Sequence, residues 1–309
     1  MNPLIRLIPP AFVRFFARPY VAGDSLAKAL EVAGRLHAER GLASTLDLLA
    51  EDIREQETVQ RNIATYLAMI DAVAADSRFG GELEKPSLSL KLSSYTTAPL
   101  DKGGDAAGAK ESVLRIVDRA REKGVRLTID MESRHWTDFT IRLLEELHAA
   151  GQHHVGGVFQ TRLHRTAADL ARLPQGLRVR LVIGIYDEPE SVAVRDKREM
   201  KERLLAAARS LLERGHYVEF ATHDEAIVRR FLAEVVAPLG VAKDRFEVQM
   251  LYGVPRERLL AELRREGIRA RLYVPFALGW PMAIAYLRRR LDEYPKMMFL
   301  VMRNVFSKG

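Results

Sequence analysis

The stretch RLTIDMESRHWTDFTIRLLEELHAAGQHHVGGVFQ, residues 126–160, holds one complete strand–helix–strand unit. Over 126–131 the apolar Leu127, Ile129 and Met131 alternate with the polar Thr128 and Asp130, the two-residue period of a strand. Residues 139–150 carry apolar side chains at helical spacing, and 155–160 is again a short apolar run. A helix between two such strands implies parallel pairing, because the chain must cross back over the sheet before the second strand can run beside the first.

The same alternation extends both ways along the chain. Strands are expected at 44–49, 87–92, 126–131, 155–160, 179–184, 217–221, 246–251 and 271–275, with helices at 110–123, 139–150, 198–214, 225–239 and 256–266. Gly124, Gly215, Gly240 and Gly267 stand where a helix C-terminus favours a left-handed residue. Eight units predict an α/β fold of the (β/α)8, TIM-like barrel type, with a doubly wound sheet as the alternative. No linker interrupts the pattern, so residues 1–309 read as one domain. Its first forty residues form a helical extension in which Asp24 or Ser25 caps an Ala- and Leu-rich run, and 50–80 adds a further helical stretch. The loop 96–108, following the second strand, belongs to the face where barrel enzymes place their chemistry.

With 309 residues, 48% hydrophobic and 29% charged, the chain has the composition of a globular protein. It has no cysteine, which excludes disulfides, thiolate metal sites and cysteine nucleophiles. No apolar run approaches the ~18 residues of a spanning helix, so the expected location is the cytoplasm. Residues 1–20, which mix apolar residues with Arg6, Arg14 and Arg18, suit either packing across the barrel or peripheral contact with the inner face of a membrane. The net charge of +7 is matched by residues 254–309, where 12 Lys+Arg face 5 Asp+Glu. That placement points to a local anion site and away from nucleic acid. No metal site is expected, since the eight histidines form no H-E-x-x-H or H-x-H pair, and the glycine-rich dinucleotide fingerprint is absent. Nothing in the sequence sets the oligomeric state.

Strand parity indicates what enters the barrel. Ser89, Lys91 and Ser93 share one parity, as do Thr128, Asp130 and Glu132, and Glu247 and Gln249, while the opposite parity is apolar and suits a helix-covered face. Lys91, Asp130, Glu132, Gln160, Arg180, Thr222, His223 and Glu247 thus fall at or near strand ends, either as a self-satisfying polar network or as a site. A mouth this polar suits a flat cofactor and a small substrate. Arg288-Arg289-Arg290 reads as a solvated helix face or as a carboxylate clamp, since each guanidinium can donate two parallel hydrogen bonds.

Taken in order, Leu46-Asp-Leu-Leu-Ala-Glu51, Ser89-Leu-Lys-Leu-Ser93, Asp130-Met-Glu132, Gly157-Val-Phe-Gln160, Arg180-Leu-Val-Ile-Gly-Ile-Tyr186, Ala221-Thr-His-Asp224, Phe246 through Gly253, and Arg271 through Glu293 resemble the proline dehydrogenase family, in its compact monofunctional bacterial form. The resemblance implies a distorted barrel with a final helix over its mouth and non-covalent FAD. It also implies oxidation of L-proline to Δ1-pyrroline-5-carboxylate, with electrons passed to a quinone. By the same resemblance Lys91, Arg289 and Arg290 bind the substrate carboxylate and Glu51 holds the arginines. Tyr273, Tyr286 and Leu251 line the ring, and Asp130 completes the pocket. Arg180 lies by the reactive flavin nitrogen, and Met131, Gln160, Ile183, Gly184, Ile185, Thr222 and His223 contact FAD. Ile183 replaces the family's usual lysine and Ile185 its alanine. The competing readings are a flavin dehydrogenase for a related cyclic amine such as hydroxyproline, and a non-catalytic barrel that binds a carboxylate or flavin.

Overall fold

The computed structural model describes residues 9, 13–14, 19–49, 53–281, 283–284 and 288. Its eight strands are β1 (Ala43–Leu48), β2 (Ser87–Leu90), β3 (Leu127–Ile129), β4 (Val155–Gln160), β5 (Arg178–Val182), β6 (Tyr217–Ala221), β7 (Phe246–Leu251) and β8 (Ala270–Phe276). Each lies parallel to the next, and β8 closes on β1 through the register Ala43 to Arg271 and Thr45 to Tyr273. The barrel is therefore the fold, and the doubly wound alternative falls away.

Leu46, Leu88, Leu90, Leu127, Ile129, Val179, Leu181, Val218, Phe220, Val248 and Val274 are fully buried on the outer face of the strands. They meet the surrounding helices α1 (Leu26–Arg40), α2 (Gln56–Ala75), α3 (Ala109–Lys123), α4 (Arg134–Ala149), α5 (Thr166–Arg172) and α6 (Lys197–Glu213), then α7 (Glu225–Arg230), α8 (Ala237–Leu239) and α9 (Glu257–Arg265). Ser25 caps α1 by accepting from the Lys28 N–H, whereas Asp24 instead pairs with the Lys28 ammonium at 2.6 Å. None of the described helices is long and apolar enough to cross a membrane.

Several expected elements differ in detail: β3 ends at Ile129, so Asp130 and Met131 follow the strand, and the next helix begins at Arg134. Residues 92–95 leave β2 and form a 3-10 turn, Leu92–Tyr95, so Ser93 belongs to that turn and not to the strand. β5 stops at Val182, ahead of Gly184, whose φ of 111° breaks the ladder. The helix expected at 225–239 is interrupted by a π segment, Phe231–Val236. Pro238 has no N–H to offer the Glu234 carbonyl, and Arg209 Nη2 donates to that carbonyl instead. Within this segment Phe231 stacks on Phe220 of β6, with ring centroids 4.1 Å apart.

Candidate active site

Polar residues of one parity fill the barrel in two tiers. The lower tier is a buried ionic network, joined to the upper one through Arg180, whose Nε donates to Glu219 Oε2 at 3.3 Å. Arg271 Nε donates to Glu247 Oε1 at 2.5 Å, and Tyr217 and Gln249 donate to the same carboxylate at 3.0 and 2.6 Å. Arg178 pairs with Glu219 and donates to Thr128 Oγ1 at 3.0 Å. Burial pushes both glutamates up, but Arg271 at Glu247, and Arg178, Arg180 and Arg271 at Glu219, outweigh it and hold both carboxyls below the ordinary range. Glu247, expected at a catalytic strand end, is instead the second residue of β7 and belongs to this lower network. The parity argument identified its direction correctly, but the carboxylate lies at the wrong height in the barrel for the mouth.

The upper tier opens to the mouth. Lys91, the residue after β2, donates to Asp47 Oδ1 and Oδ2 at 2.8 and 2.9 Å and lies 3.4 Å from Asp130 Oδ2. Tyr273 OH donates to the same Asp130 oxygen at 2.8 Å. Arg180 reaches across the barrel to Asp130 Oδ1 at 3.0 Å and Ser89 Oγ at 3.2 Å, with its guanidinium carbon 5.3 Å from the Tyr273 ring centroid. Burial raises the Asp47 carboxyl, against the pull of Lys91, and burial together with Asp130 raises the Tyr273 phenol well above its usual range. The phenol therefore stays protonated and donates. Leu251 ends β7 in register with Tyr273.

Beside this cluster lies a second group of expected residues. Gln160 Nε2 donates to the Glu132 carbonyl at 2.8 Å, leaving Gln160 Oε1 buried without a partner among the described residues. A Cβ on Gly184 would sit 2.6 Å from that oxygen, so the loop after β5 approaches Gln160 as only glycine can. His223 Nδ1 and Arg180 Nη2 are likewise buried and unpartnered among the described residues. Burial, then Arg256, brings His223 down to about 4, which keeps its ring neutral. Thr222 follows β6, its N–H bonded to Gln249 O at 3.1 Å, and Met131 is buried beside Asp130. Ile183 is half-buried and Ile185 is 50% exposed. Unspent donors and acceptors on one side, with a glycine cradle and an uncovered apolar side chain, fit a flat heteroaromatic cofactor with polar edges.

Glu51, Tyr286, Arg289 and Arg290 lie outside the described residues, and of the final helix expected over the mouth residues 280–281, 283–284 and 288 are described. Asp47, Glu219, Arg178 and Arg271 were not among the expected site residues. Their signal was present in the sequence, since Asp47 shares parity with Thr45, Glu219 interrupts Val218 and Phe220, and both arginines lie two residues from an expected site residue.

The family model for proline dehydrogenase matches residues 29–297. The chain belongs to the proline dehydrogenase family. The proline dehydrogenase of Deinococcus radiodurans is 34% identical over 294 residues, spanning 94% of this chain and 90% of that protein. Proline dehydrogenase 1 of Bacillus subtilis strain 168 is 32% identical, over 96% of this chain and 92% of its own. Among solved structures, proline utilization A of Bdellovibrio bacteriovorus inactivated by N-propargylglycine superposes with a TM-score of 0.77 at 22% identity, covering 90% of this chain and 32% of that one. The chain thus spans about a third of the larger protein, and at that identity the likeness concerns the fold. In this proline dehydrogenase family member the two tiers divide the barrel into a buried ionic floor and an open mouth, bridged by Arg180.

Proposed function

We propose that this protein oxidises L-proline to Δ1-pyrroline-5-carboxylate, with FAD bound non-covalently at the mouth of the barrel and a quinone as the electron acceptor. The observation that carries the reading is the joined cluster Asp47–Lys91–Asp130–Tyr273–Arg180 at the mouth of a barrel of this family.

In this reading Lys91, aimed by two carboxylates, meets the substrate carboxylate together with Arg289 and Arg290, which Glu51 orients. Tyr273, Tyr286 and Leu251 frame the ring. Asp130 fixes the Tyr273 hydroxyl and half of Arg180, so the wall of the pocket is rigid before substrate arrives, and catalysis is chiefly positioning. Gln160 Oε1, His223 and Thr222, with the 183–185 loop and Met131, are the residues to hold FAD. When bound, FAD supplies a two-electron acceptor for hydride from the ring carbon next to nitrogen. Arg180 keeps a buried donor, Nη2, for negative charge that develops there. Residues 1–309 act as one domain with the segment before about residue 40 as its extension, in the cytoplasm, with residues 1–20 as the candidate for peripheral membrane contact.

Purified protein is expected to be yellow, to bleach on anaerobic addition of L-proline, and to turn over with a soluble quinone analogue. Protein that stays colourless after incubation with FAD overturns the reading. A higher kcat/KM for hydroxyproline than for proline overturns the choice of substrate.

A further inference from the structure

Glu132 has no role in the mechanism above, yet it touches both halves of the mouth. Its side chain is buried, three residues past the end of β3. Oε1 accepts the Ser93 N–H at 2.9 Å and Oε2 lies 2.5 Å from Ser93 Oγ. Ser93 is the second residue of the Leu92–Tyr95 turn, and Lys91 immediately precedes that turn. Asn62 Nδ2 grips the other side of the turn through Ser94 O at 2.9 Å. Through its main-chain carbonyl the same glutamate accepts from Gln160 Nε2 at 2.8 Å, which fixes the Gln160 amide and the direction of its unpartnered Oε1.

We propose that Glu132 is a positioning residue for the reaction: its carboxyl group anchors the turn that carries Lys91, while its main-chain carbonyl orients Gln160 toward the cofactor. The inference rests on the proline-oxidising reading. Lys91 reaches its place from the end of β2, and without the two bonds to Ser93 the near side of the turn behind it would be held only by Asn62 at Ser94 and by packing, so Lys91 would be less precisely placed. A lysine ammonium displaced by an ångström loses its hold on a carboxylate, because charge-assisted hydrogen bonds are short. The charged groups facing the Glu132 carboxyl are Lys91, at the head of the turn, and Asp101, from the Leu100–Lys102 turn. Burial dominates and pushes this carboxyl up to about 7, so its charge changes near neutrality.

The test uses the FAD-loaded enzyme and the variants Glu132→Gln and Ser93→Ala. Glu132→Gln keeps the main-chain bond to Gln160 and the bond from the Ser93 N–H, and replaces the charge-assisted bond at Ser93 Oγ with a neutral one at most. It is expected to retain FAD and a kcat within about twofold, while KM for proline rises about tenfold. The change of KM with pH centred near 7 should disappear. Ser93→Ala should raise KM by a similar factor, and the double variant should be no worse than either single one, since both remove the same contact. Ser93→Ala also keeps the question decidable if Glu132→Gln does not fold. A proline-active Glu132→Gln enzyme with wild-type KM and an unchanged pH profile overturns the inference, as does a lowered Tm with wild-type KM. Failure of the wild-type flavin to bleach with proline overturns the functional reading, and this inference with it.

Discussion

Lys91 Nζ is held between the two carboxylate oxygens of Asp47, at 2.8 and 2.9 Å, while Asp47 itself is 1% exposed. The pair joins β1 to the end of β2, and it is buried on the aspartate side only, since the lysine faces the mouth. Without the aspartate charge Lys91 keeps Asp130, 3.4 Å away, but loses its bidentate partner. Asp47→Asn is therefore expected to lower the unfolding free energy in urea by about 1 kcal/mol and to raise KM for proline. An unchanged urea midpoint would show that the pair contributes nothing to the fold.

Tyr273→Phe removes a hydroxyl that donates to Asp130 at 2.8 Å. Asp130 then keeps Arg180 but loses its neutral donor, and the wall beneath the substrate ring loosens. A hydrogen bond to a charged group contributes about 1.5–3 kcal/mol, so kcat/KM for proline should fall at least tenfold. Steady-state assays decide this, and a variant with wild-type kcat/KM would show that the Tyr273 hydroxyl does not contribute to catalysis.

Gly184 combines a φ of 111° with a built Cβ position 2.6 Å from Gln160 Oε1. Gly184→Ala should expel Gln160 from its place and strain the loop, so the purified variant should carry much less flavin. The ratio of absorbance at about 450 nm to that of the protein reads this directly, relative to wild type. Full flavin content in the variant would show that the close approach has no bearing on the cofactor.

Two buried groups give opposing pH slopes. The Glu132 carboxyl is raised from 4.5 to about 7, so its contribution is full at low pH and is lost as pH rises through that interval. The His223 ring is lowered from 6.5 to about 4, so its contribution is full above 6.5 and is lost as pH falls toward 4. Each is of the order of 3 kcal/mol, and between pH 4.5 and 6.5 they cancel. In urea unfolding, Glu132→Gln should therefore lose more stability than the wild type on acidification, and His223→Gln more than the wild type on going toward neutrality. Parallel curves for all three proteins would contradict the assignment.

Arg126, the residue before β3, is 7% exposed, and its Nε and Nη2 are buried with no hydrogen-bond partner among the described residues. Burial, with Arg271 and Arg178 nearby, brings its guanidinium down to about 10, so it stays charged at neutral pH. The attraction of Glu247 and Glu219 offsets only part of that burial, and Arg126→Met should stabilise the protein by about 1–2 kcal/mol. A higher Tm for the variant is the expected result, and a lower one would reveal a partner for the guanidinium.

Much of the barrel could be read along the chain. Alternation in 126–131 and 246–251, and helical spacing between the strands, located all eight strands because the two-residue period and the glycine stops are local properties. The limits of that reading were local conflicts settled by distant groups. Ser93 has strand parity, but the Glu132 carboxylate draws its N–H into a turn. The helix after β6 reads as regular, but Pro238 and Arg209 together leave it a π segment.

Among the site residues, the sequence determined which side chains point into the barrel, since parity depends only on pleating. Height along the barrel axis, and the identity of each partner, were decided by the tertiary structure. Strands of a closed barrel are staggered against one another, so equal distance from a strand end does not mean equal depth. That is why Glu247 belongs to the floor with Arg271, whereas Asp47, passed over in the sequence, holds Lys91 at the mouth. The chain alone specified the inward charges, and closure of the sheet paired them.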